Sequence, residues 1–523
     1  MKSCPFVICV AVALLAGCQP QDPAPTSTLI INAMIIDGTG SPGFEGAVRM
    51  DDDRIVEIGD LTQIPGETIF DASGLVLAPG FIDTHSHHDG DSDEYPHMPA
   101  VLSQGVTTII RGSDGGPDLD EVSGYISQAD INQGILDHPI AVNIAVFSGH
   151  GSLRAAVMGG DYRRHATATE IKAMQALLEE DMRAGAIGLG AGLEYEPGIY
   201  ASTEEIIELA KVAARYGGGY SSHLRDEDDR FMDALEEIVR VGREAKLRVH
   251  VAHIKLADNT FWGTGDDVIE LLESARAEGI EISADIYPYL RWQSNLAVLF
   301  PDRDYTNRDT AEFTFEHTSP AKDIVLTEYP PNPAYNGMSI AEIAHITETD
   351  VVSTLLDLAA AAGQYRKETG KGGSSIIAKG MDENDVVRLM QWRYTNICSD
   401  GSHESGHPRG WGSFPRVFRR FVRELGTLEL KEAVYKMTGL SADSMGIKNR
   451  GRLLAGAYAD LVLFDPDRIA DHATMAESTL VSVGVVKVWV NGQLAFDDGQ
   501  PTGQLVGRVV TLADSTISTA ASE

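Results

Sequence analysis

At 523 residues the chain is too long for one simple domain and long enough to bury a large core. Its hydrophobic (43%) and charged (23%) contents are those of a soluble globular protein. The formal net charge of −35 argues against nucleic acid and anionic membrane surfaces as partners, because both repel such a chain.

The first 18 residues read as a signal peptide. Lys2 supplies a short positive region, and Pro5 to Leu15 form an apolar run too short to span a bilayer. The run closes on Leu15-Ala16-Gly17-Cys18, which resembles a bacterial lipobox. That resemblance implies cleavage before Cys18, lipidation of its thiol and a periplasm-facing lipoprotein of the bacterial cell envelope, touching the membrane only through its lipid anchor. Residues 19–28, polar and Pro-rich, read as a tether. Cys4 and Cys9 leave with the signal, so only Cys398 remains in the folded body and no internal disulfide can form.

Short β-type runs follow at Leu29–Ile36, Ala47–Asp51 and Arg54–Ile58. They recur near the other end at Asp460–Phe464, Val483–Val490 and Leu494–Asp497. Both termini (29–77 and 452–512) are therefore expected to build one small β-sandwich domain. Between them, residues 78–451 alternate buried strands with helical patterns, the signature of a parallel (β/α)8 barrel and so of an α/β fold. Eight strands are expected: Phe81–Thr84, Val106–Arg111, Ala141–Phe147, Ile187–Gly190, Gly219–His223, Arg248–His253, Glu281–Ile286 and Asn396–Ser399. Ser202 to Tyr216 and Asp228 to Ala245 carry apolar residues at helical spacing. From about 290 to 343 strand signal is weak and Pro, Asp, Asn and aromatic residues are frequent; this stretch reads as a lid-like insertion over the barrel mouth.

Chemistry concentrates where strands end. In Gly80-Phe81-Ile82-Asp83-Thr84-His85-Ser86-His87-His88-Asp89, a short buried strand after Pro-Gly ends in His-x-His. Alternation puts His85 and His87 on one face, where two neutral imidazoles can share a transition metal. This decapeptide resembles the first-strand signature of the amidohydrolase superfamily, metal-dependent hydrolases on a (β/α)8 barrel. The active site of such barrels lies at the C-terminal strand ends. The other ends supply Asp114, His223, His253 and Asp400. One such histidine alone is more often a core or surface residue; six metal-capable side chains at five strand ends are not. His223, His253 and Asp114 could hold one zinc ion, and His85, His87 and Asp400 a second or its weaker neighbour. Asp400 is the natural general base, taking a proton from water and passing it to the leaving nitrogen. His150, in Ser148-Gly149-His150-Gly151, either borders the acyl pocket or caps a loop. No Gly-x-Ser-x-Gly elbow is present, which argues against a serine hydrolase.

A narrower resemblance runs from about Leu29 to Val510. Ala184–Leu189 through Pro197-Gly198, Ser222-His223-Leu224-Arg225, Ala252-His253-Ile254-Lys255, Tyr287-Pro288-Tyr289 and His407–Gly412 are similar to N-acyl-D-amino-acid deacylases (D-aminoacylases). So is the tail Met437–Leu440, Asn449–Gly451 and Ala459–Val462. The resemblance implies that His85, His87, His223, His253 and Asp400 are the metal and catalytic set. It assigns the substrate carboxylate to Lys255, Arg409 and a tyrosine of the pair Tyr287/Tyr289. It implies one or two Zn2+ ions and hydrolysis of N-acyl-D-amino acids, or of dipeptides with a C-terminal D-residue. Asp114 departs from the pattern, since those enzymes commonly carry a cysteine there; a carboxylate is a harder ligand, which bears on metal number and identity. Two rivals remain: a cyclic amidase of the dihydroorotase or hydantoinase kind, for which no bridging lysine is evident, and a non-catalytic envelope lipoprotein, which would be expected to have lost part of this set.

Overall fold

The computed structural model describes residues 27–88, 92–116, 125–404 and 406–512. The signal peptide and Cys18 lie outside these residues, as does the tether up to residue 26. Among the described residues no helix is long and apolar enough to cross a membrane, and Cys398 is a buried free thiol.

The chain enters through β1 (Thr28–Ile35), β2 (Phe44–Asp51), β3 (Arg54–Gly59), β4 (Thr68–Asp71) and β5 (Val76–Pro79). Thr28, read as tether, is already strand, and Ser27 beside it is buried against Glu67. β1 alternates inward Ile30, Ala33 and Ile35 with outward residues, interrupted by a bulge at which Asn32 adopts a φ of 60°. The bulge forks the sheet. Before it, Thr28–Ile31 pair with β4; beyond it, Met34 and Ile35 pair with β5.

Gly80 then turns the chain from this sheet directly into the barrel. A Cβ there would stand 2.2 Å from the Thr107 side chain, so only glycine allows the approach. The barrel strands are β6 (Phe81–Asp83), β7 (Val106–Arg111), β8 (Asn143–Gly149), β9 (Gly188–Gly192), β10 (Gly219–His223), β11 (Val249–Val251) and β12 (Ile282–Ile286). β13 (Arg291–Ser294), β14 (Ile324–Glu328) and β15 (Ser375–Lys379) interrupt before β16 (Thr395–Ile397) completes the eight. Every barrel ladder is parallel, in the order β16-β12-β11-β10-β9-β8-β7-β6. β9, β10 and β12 are buried along their whole length because one face meets the barrel interior and the other the helices.

The seam between β6 and β16 is closed just beyond the strands. Asp400 N–H donates to the His85 carbonyl and His87 N–H to the Gly401 carbonyl, each at 2.9 Å. The Asp83 carboxyl accepts from both Ser399 N–H and Ser399 Oγ, and burial pushes it up to about 7. The tails that carry His85, His87 and Asp400 are thus stitched to each other.

The insertion is a folded subdomain. It extends past the expected end near 343 to Lys379, since β13, β14 and β15 form an antiparallel sheet in the order β13-β15-β14 with the helices Ile340–Thr347 and Val351–Thr369 beside it. The chain finally returns to the first domain as β17 (Leu461–Phe464), β18 (Val485–Val490), β19 (Gln493–Asp497) and β20 (Gln500–Pro501). The small β domain that both ends of the chain build is one nine-stranded sheet, β20-β19-β18-β17-β5-β1-β2-β3 with β4 on β1. It curls over its own core of Ile30, Val48, Ile55, Leu463 and Trp489, and Phe70 of β4 meets Trp489 of β18 edge-on at 5.5 Å.

Candidate metal centre

The strand ends bring His85, His87, Asp114 and Asp400 together, with one ligand atom from each lying within 4.8 Å of all the others. Asp114, His223 and His253 form a second such group. Asp114 belongs to both, the position of a bridging ligand. Its carboxylate lies 3.2 Å from His85 Nε2, 3.5 Å from His87 Nε2 and 3.6 Å from His253 Nε2. Asp114 reaches the axis because its loop lies flat on two neighbouring strands: a Cβ on Gly190 would stand 1.8 Å from the Gly112 carbonyl, and Gly112 has a φ of 79°.

Two of these residues sit on strained backbone, His253 at φ 34° and Asp400 at φ 48°. Each is held by its amide. Asp400 N–H bonds across the seam, and His253 N–H donates to Asp285 Oδ1 at 2.5 Å. Asp285 is buried in the barrel and also faces His250 Nε2 (2.8 Å) and Thr84 Oγ1 (2.7 Å). Burial works against its charge, but His250 holds its carboxyl well below the usual range.

The donor set fits a divalent metal ion. Both ring nitrogens of His85 and Oδ1 of Asp114 are buried without a hydrogen-bond partner, a costly arrangement unless a cation takes those lone pairs. Burial opposes charge on Asp114, yet His85, His253 and His87 hold its carboxyl well below the usual range. Burial likewise opposes charge on His87, but bonds to Asp114 and Asp400 raise its pKa to about 10. Positive charge is wanted at this spot, and imidazole with carboxylate suits zinc or a neighbouring metal.

Sequence reading missed two carboxylates behind the histidines. His223 directs Nε2 to Glu194 at 2.8 Å and Nδ1 toward His253 Nε2 at 3.0 Å. His253 directs Nδ1 to Glu227 at 3.2 Å. A carboxylate only accepts, so the Glu194 bond places the His223 proton on Nε2 and leaves Nδ1 for the centre. His253 Nδ1 lies between the Glu227 carboxylate, which favours a proton there, and Lys255 Nζ at 2.7 Å, which is itself held by Glu227. Burial opposes charge on Glu227, but His223, Lys255 and His253 lower its pKa strongly. The available signal was that Glu227 stands four residues after His223 and Glu194 just past the β9 end. Tyr195, also unforeseen, packs against His223 with ring centroids 4.5 Å apart and the rings tilted by 45°.

Among the residues expected to bind substrate, Lys255, Tyr287 and Arg409 line the same cavity of about 390 Å³ as the metal-capable groups. Lys255 Nζ is held by both Glu227 oxygens, at 2.6 and 2.7 Å. Arg409 Nη1 donates to Asp400 Oδ2 at 2.5 Å, with its guanidinium 5.1 Å from the Tyr287 ring. Burial opposes charge on Asp400 too, and Arg409 with His253 holds its carboxyl far below the usual range. Arg409 Nε and Tyr287 Oη remain buried without a partner. Tyr289 is not in this cavity. Its N–H donates to the Tyr287 carbonyl at 3.0 Å, a tight turn that sends its ring out against His407 and under Arg416. His150 is structural, buried against Glu205 at 2.8 Å beside Arg154.

A parallel barrel with an N/O metal set at its C-terminal strand ends defines a metal-dependent hydrolase of the (β/α)8 type. The model of the amidohydrolase family matches residues 68–383 and 400–496. The D-aminoacylase of Alcaligenes xylosoxydans xylosoxydans is 37% identical over 94% of this chain and 98% of its own. A crystal structure of D-aminoacylase superposes with a TM-score of 0.83 at 36% identity, covering 93% of this chain and 100% of that one. The N-acyl-D-glutamate deacylase of Bordetella bronchiseptica, solved with zinc and a phosphonate mimic of the tetrahedral intermediate, gives 0.80 at 34% identity, over 93% and 100% of the two chains. The chain belongs to the amidohydrolase family, within its D-aminoacylase branch.

Proposed function

We propose that this protein hydrolyses the amide bond of N-acyl-D-amino acids, including dipeptides that end in a D-residue, with one or two zinc ions held by His85, His87, Asp114, His223, His253 and Asp400. The observation that carries the reading is one cavity lined by His87, Asp114, His223, His253 and Asp400 and also by Arg409 and Tyr287, whose Nε and Oη have no partner. A carboxylate beside a scissile amide is what those donors match: Arg409 offers a planar fork, and Tyr287 a hydroxyl. Zinc bound there polarises the amide carbonyl and lowers the pKa of water toward about 7.

The chain's own groups do the rest. Asp400 accepts the proton of the attacking water and delivers it to the leaving nitrogen. At rest its carboxylate is tied to Arg409; a substrate carboxylate competes for that guanidinium and leaves Asp400 freer to act as a base. Glu194 and Glu227 keep His223 and His253 oriented. Trp292 and Ser294 of the insertion line the cavity from above, keeping bulk water from it.

The cyclic-amidase rival is less well supported, because Asp114 rather than a lysine holds the position shared by the two ligand groups. The test is to strip the metal with a chelator, restore zinc, and follow both amine release from N-acetyl-D-amino acids and ring opening of a D-hydantoin. Zinc-dependent amine release without ring opening is the expected result; ring opening alone would replace this reading with the cyclic one. The lipobox-like Leu15–Cys18 supports an envelope lipoprotein. On that reading Cys18→Ala shifts the protein from the membrane to the soluble fraction, and an unchanged distribution would refute it.

A further inference from the structure

Arg409, the residue matched to the substrate carboxylate, opens the helix Arg409–Arg416. The first turn of that helix leans on side chains from elsewhere in the chain. A helical carbonyl pairs with the N–H four residues on. For Trp411 that residue is Pro415, which has no N–H, and Ser482 Oγ donates to the carbonyl at 2.7 Å instead. For Gly410 it is Phe414, and the side chain of Gln104 meets both ends of the pair. Its Nε2 donates to the Gly410 carbonyl at 2.8 Å, and its Oε1 accepts from Phe414 N–H at 3.2 Å. We infer that Gln104 is a positioning residue. By bridging that turn it sets where the Arg409 guanidinium stands, and so how strongly the enzyme selects a carboxylate beside the scissile amide. This rests on the deacylase reading above, in which Arg409 binds the carboxylate, and goes beyond it by naming what holds Arg409 in place.

Gln104 suits the task because its amide has one possible orientation. It is buried in the turn that precedes β7, and its Nε2 also donates to the Ala100 carbonyl at 2.9 Å. With two carbonyls on one side and an N–H on the other, exchanging oxygen and nitrogen would lose all three bonds. A second buried donor, His88 Nε2, reaches the same Gly410 carbonyl at 2.9 Å. His88 directly follows His87, so the carbonyl next to Arg409 is tied to the strand tail that carries two metal-capable histidines.

The opposite side of the turn is closed by contact. A Cβ on Gly410 would stand 2.1 Å from the Ser402 carbonyl, and one on Gly401 would stand 2.3 Å from Gly410 Cα. Arg409 N–H donates to His407 Nδ1 at 3.1 Å, and His407 Nε2 donates to the Arg291 carbonyl of β13 at 3.0 Å. The turn is therefore gripped between the segment before β7, the loop after Asp400 and the insertion. The Gln104 bridge engages both ends of one rung of the helix. Without it, Gly410 and Phe414 are left to bond to each other as in an ordinary helix; the turn tightens and carries Arg409 with it.

The test uses the zinc-loaded full chain and compares N-acetyl-D-methionine with N-acetyl-D-methioninamide, which lacks the anionic carboxylate. In both, water attacks the acetyl carbon and the C–N bond breaks, releasing acetate and the D-amine. Intrinsic differences between the two leaving amines cancel when variants are compared. The wild type is expected to favour the acid in kcat/KM by roughly tenfold or more, the worth of a hydrogen bond to a charged group. Gln104→Met lowers that ratio by roughly fivefold or more, through a higher KM for the acid, while zinc content and the rate on the amide stay near wild type. His88→Phe removes only the second donor to Gly410 and lowers the ratio in the same direction, which keeps the test open if Gln104→Met does not fold. An unchanged ratio in a folded variant overturns the inference, and so does a proportional loss on both substrates, which would make Gln104 structural only. Equal hydrolysis of acid and amide by the wild type overturns it together with the role of Arg409. Hydrolysis of neither overturns the deacylase reading as well.

Discussion

Glu227→Gln isolates the part of the centre that lies behind the ligands. The substitution keeps the side-chain shape and removes its charge. Lys255 Nζ then loses the carboxylate that holds it at 2.6 and 2.7 Å. The amide, and Lys255 Nζ already 2.7 Å away, can then both present an N–H to His253 Nδ1, which in the wild type also has a carboxylate oxygen at 3.2 Å. Either bond moves the imidazole proton to Nε2, the nitrogen that faces Asp114 and His223, and a protonated nitrogen cannot bind a metal. Loss of an outer carboxylate of this kind costs roughly 10- to 100-fold in metal affinity, or about 1.4–2.7 kcal/mol. Competition against a chromophoric chelator measures it directly, and circular dichroism confirms that the variant is folded. Zinc affinity within twofold of wild type would refute the claim that Glu227 sets the His253 tautomer.

Three further outcomes follow from the same geometry. Glu194→Gln weakens zinc binding in the same way through His223, whose Nε2 lies 2.8 Å from Glu194; an unchanged affinity would confine Glu194 to packing. Asp400→Asn lowers kcat by roughly 10²–10⁴-fold while zinc content by elemental analysis persists, since His85, His87 and the Asp114–His223–His253 group remain; near-wild-type kcat would remove Asp400 as the base. Lys436 is a pH probe far from the centre, buried with its ammonium on the Trp392 and Thr395 carbonyls, and burial lowers its pKa from 10.5 to about 8. Between those values the unfolded chain binds more protons, so the wild type gains stability relative to Lys436→Met as pH rises, by up to about 3 kcal/mol; parallel melting profiles from pH 8 to 10 would contradict this.

What the sequence could reveal was set by how local each signal is. The barrel strands were legible because strands buried on both faces are short runs rich in β-branched residues, as in Val106–Arg111. The metal-capable pair was legible because His85 and His87 stand two apart directly after a short buried strand, and the structure brings both into one group with Asp114 and Asp400. Asp114 was visible as a candidate, but its reach depends on contacts such as Gly112, in the loop after β7, against Gly190 of β9, far away in sequence. The same holds for Glu194 and Glu227, whose meaning lies in the nitrogen each one faces. β13 and β15 escaped notice because their ladder joins residues 291–294 to 376–379, and neither Arg-Trp-Gln-Ser nor Ser-Ile-Ile-Ala-Lys is distinctive alone. Tyr289 looked equivalent to Tyr287 because alternation assumes an extended chain, and the turn at Pro288 breaks that assumption.

The most direct measurement is a progress curve on racemic N-acetylmethionine with zinc-loaded protein, followed by chiral chromatography. The account predicts that hydrolysis stops when half of the racemate is consumed, with D-methionine and untouched N-acetyl-L-methionine as the only amino-acid species. Release of L-methionine at a comparable rate would contradict the central claim, leaving an amidase without the stereochemistry assigned to it.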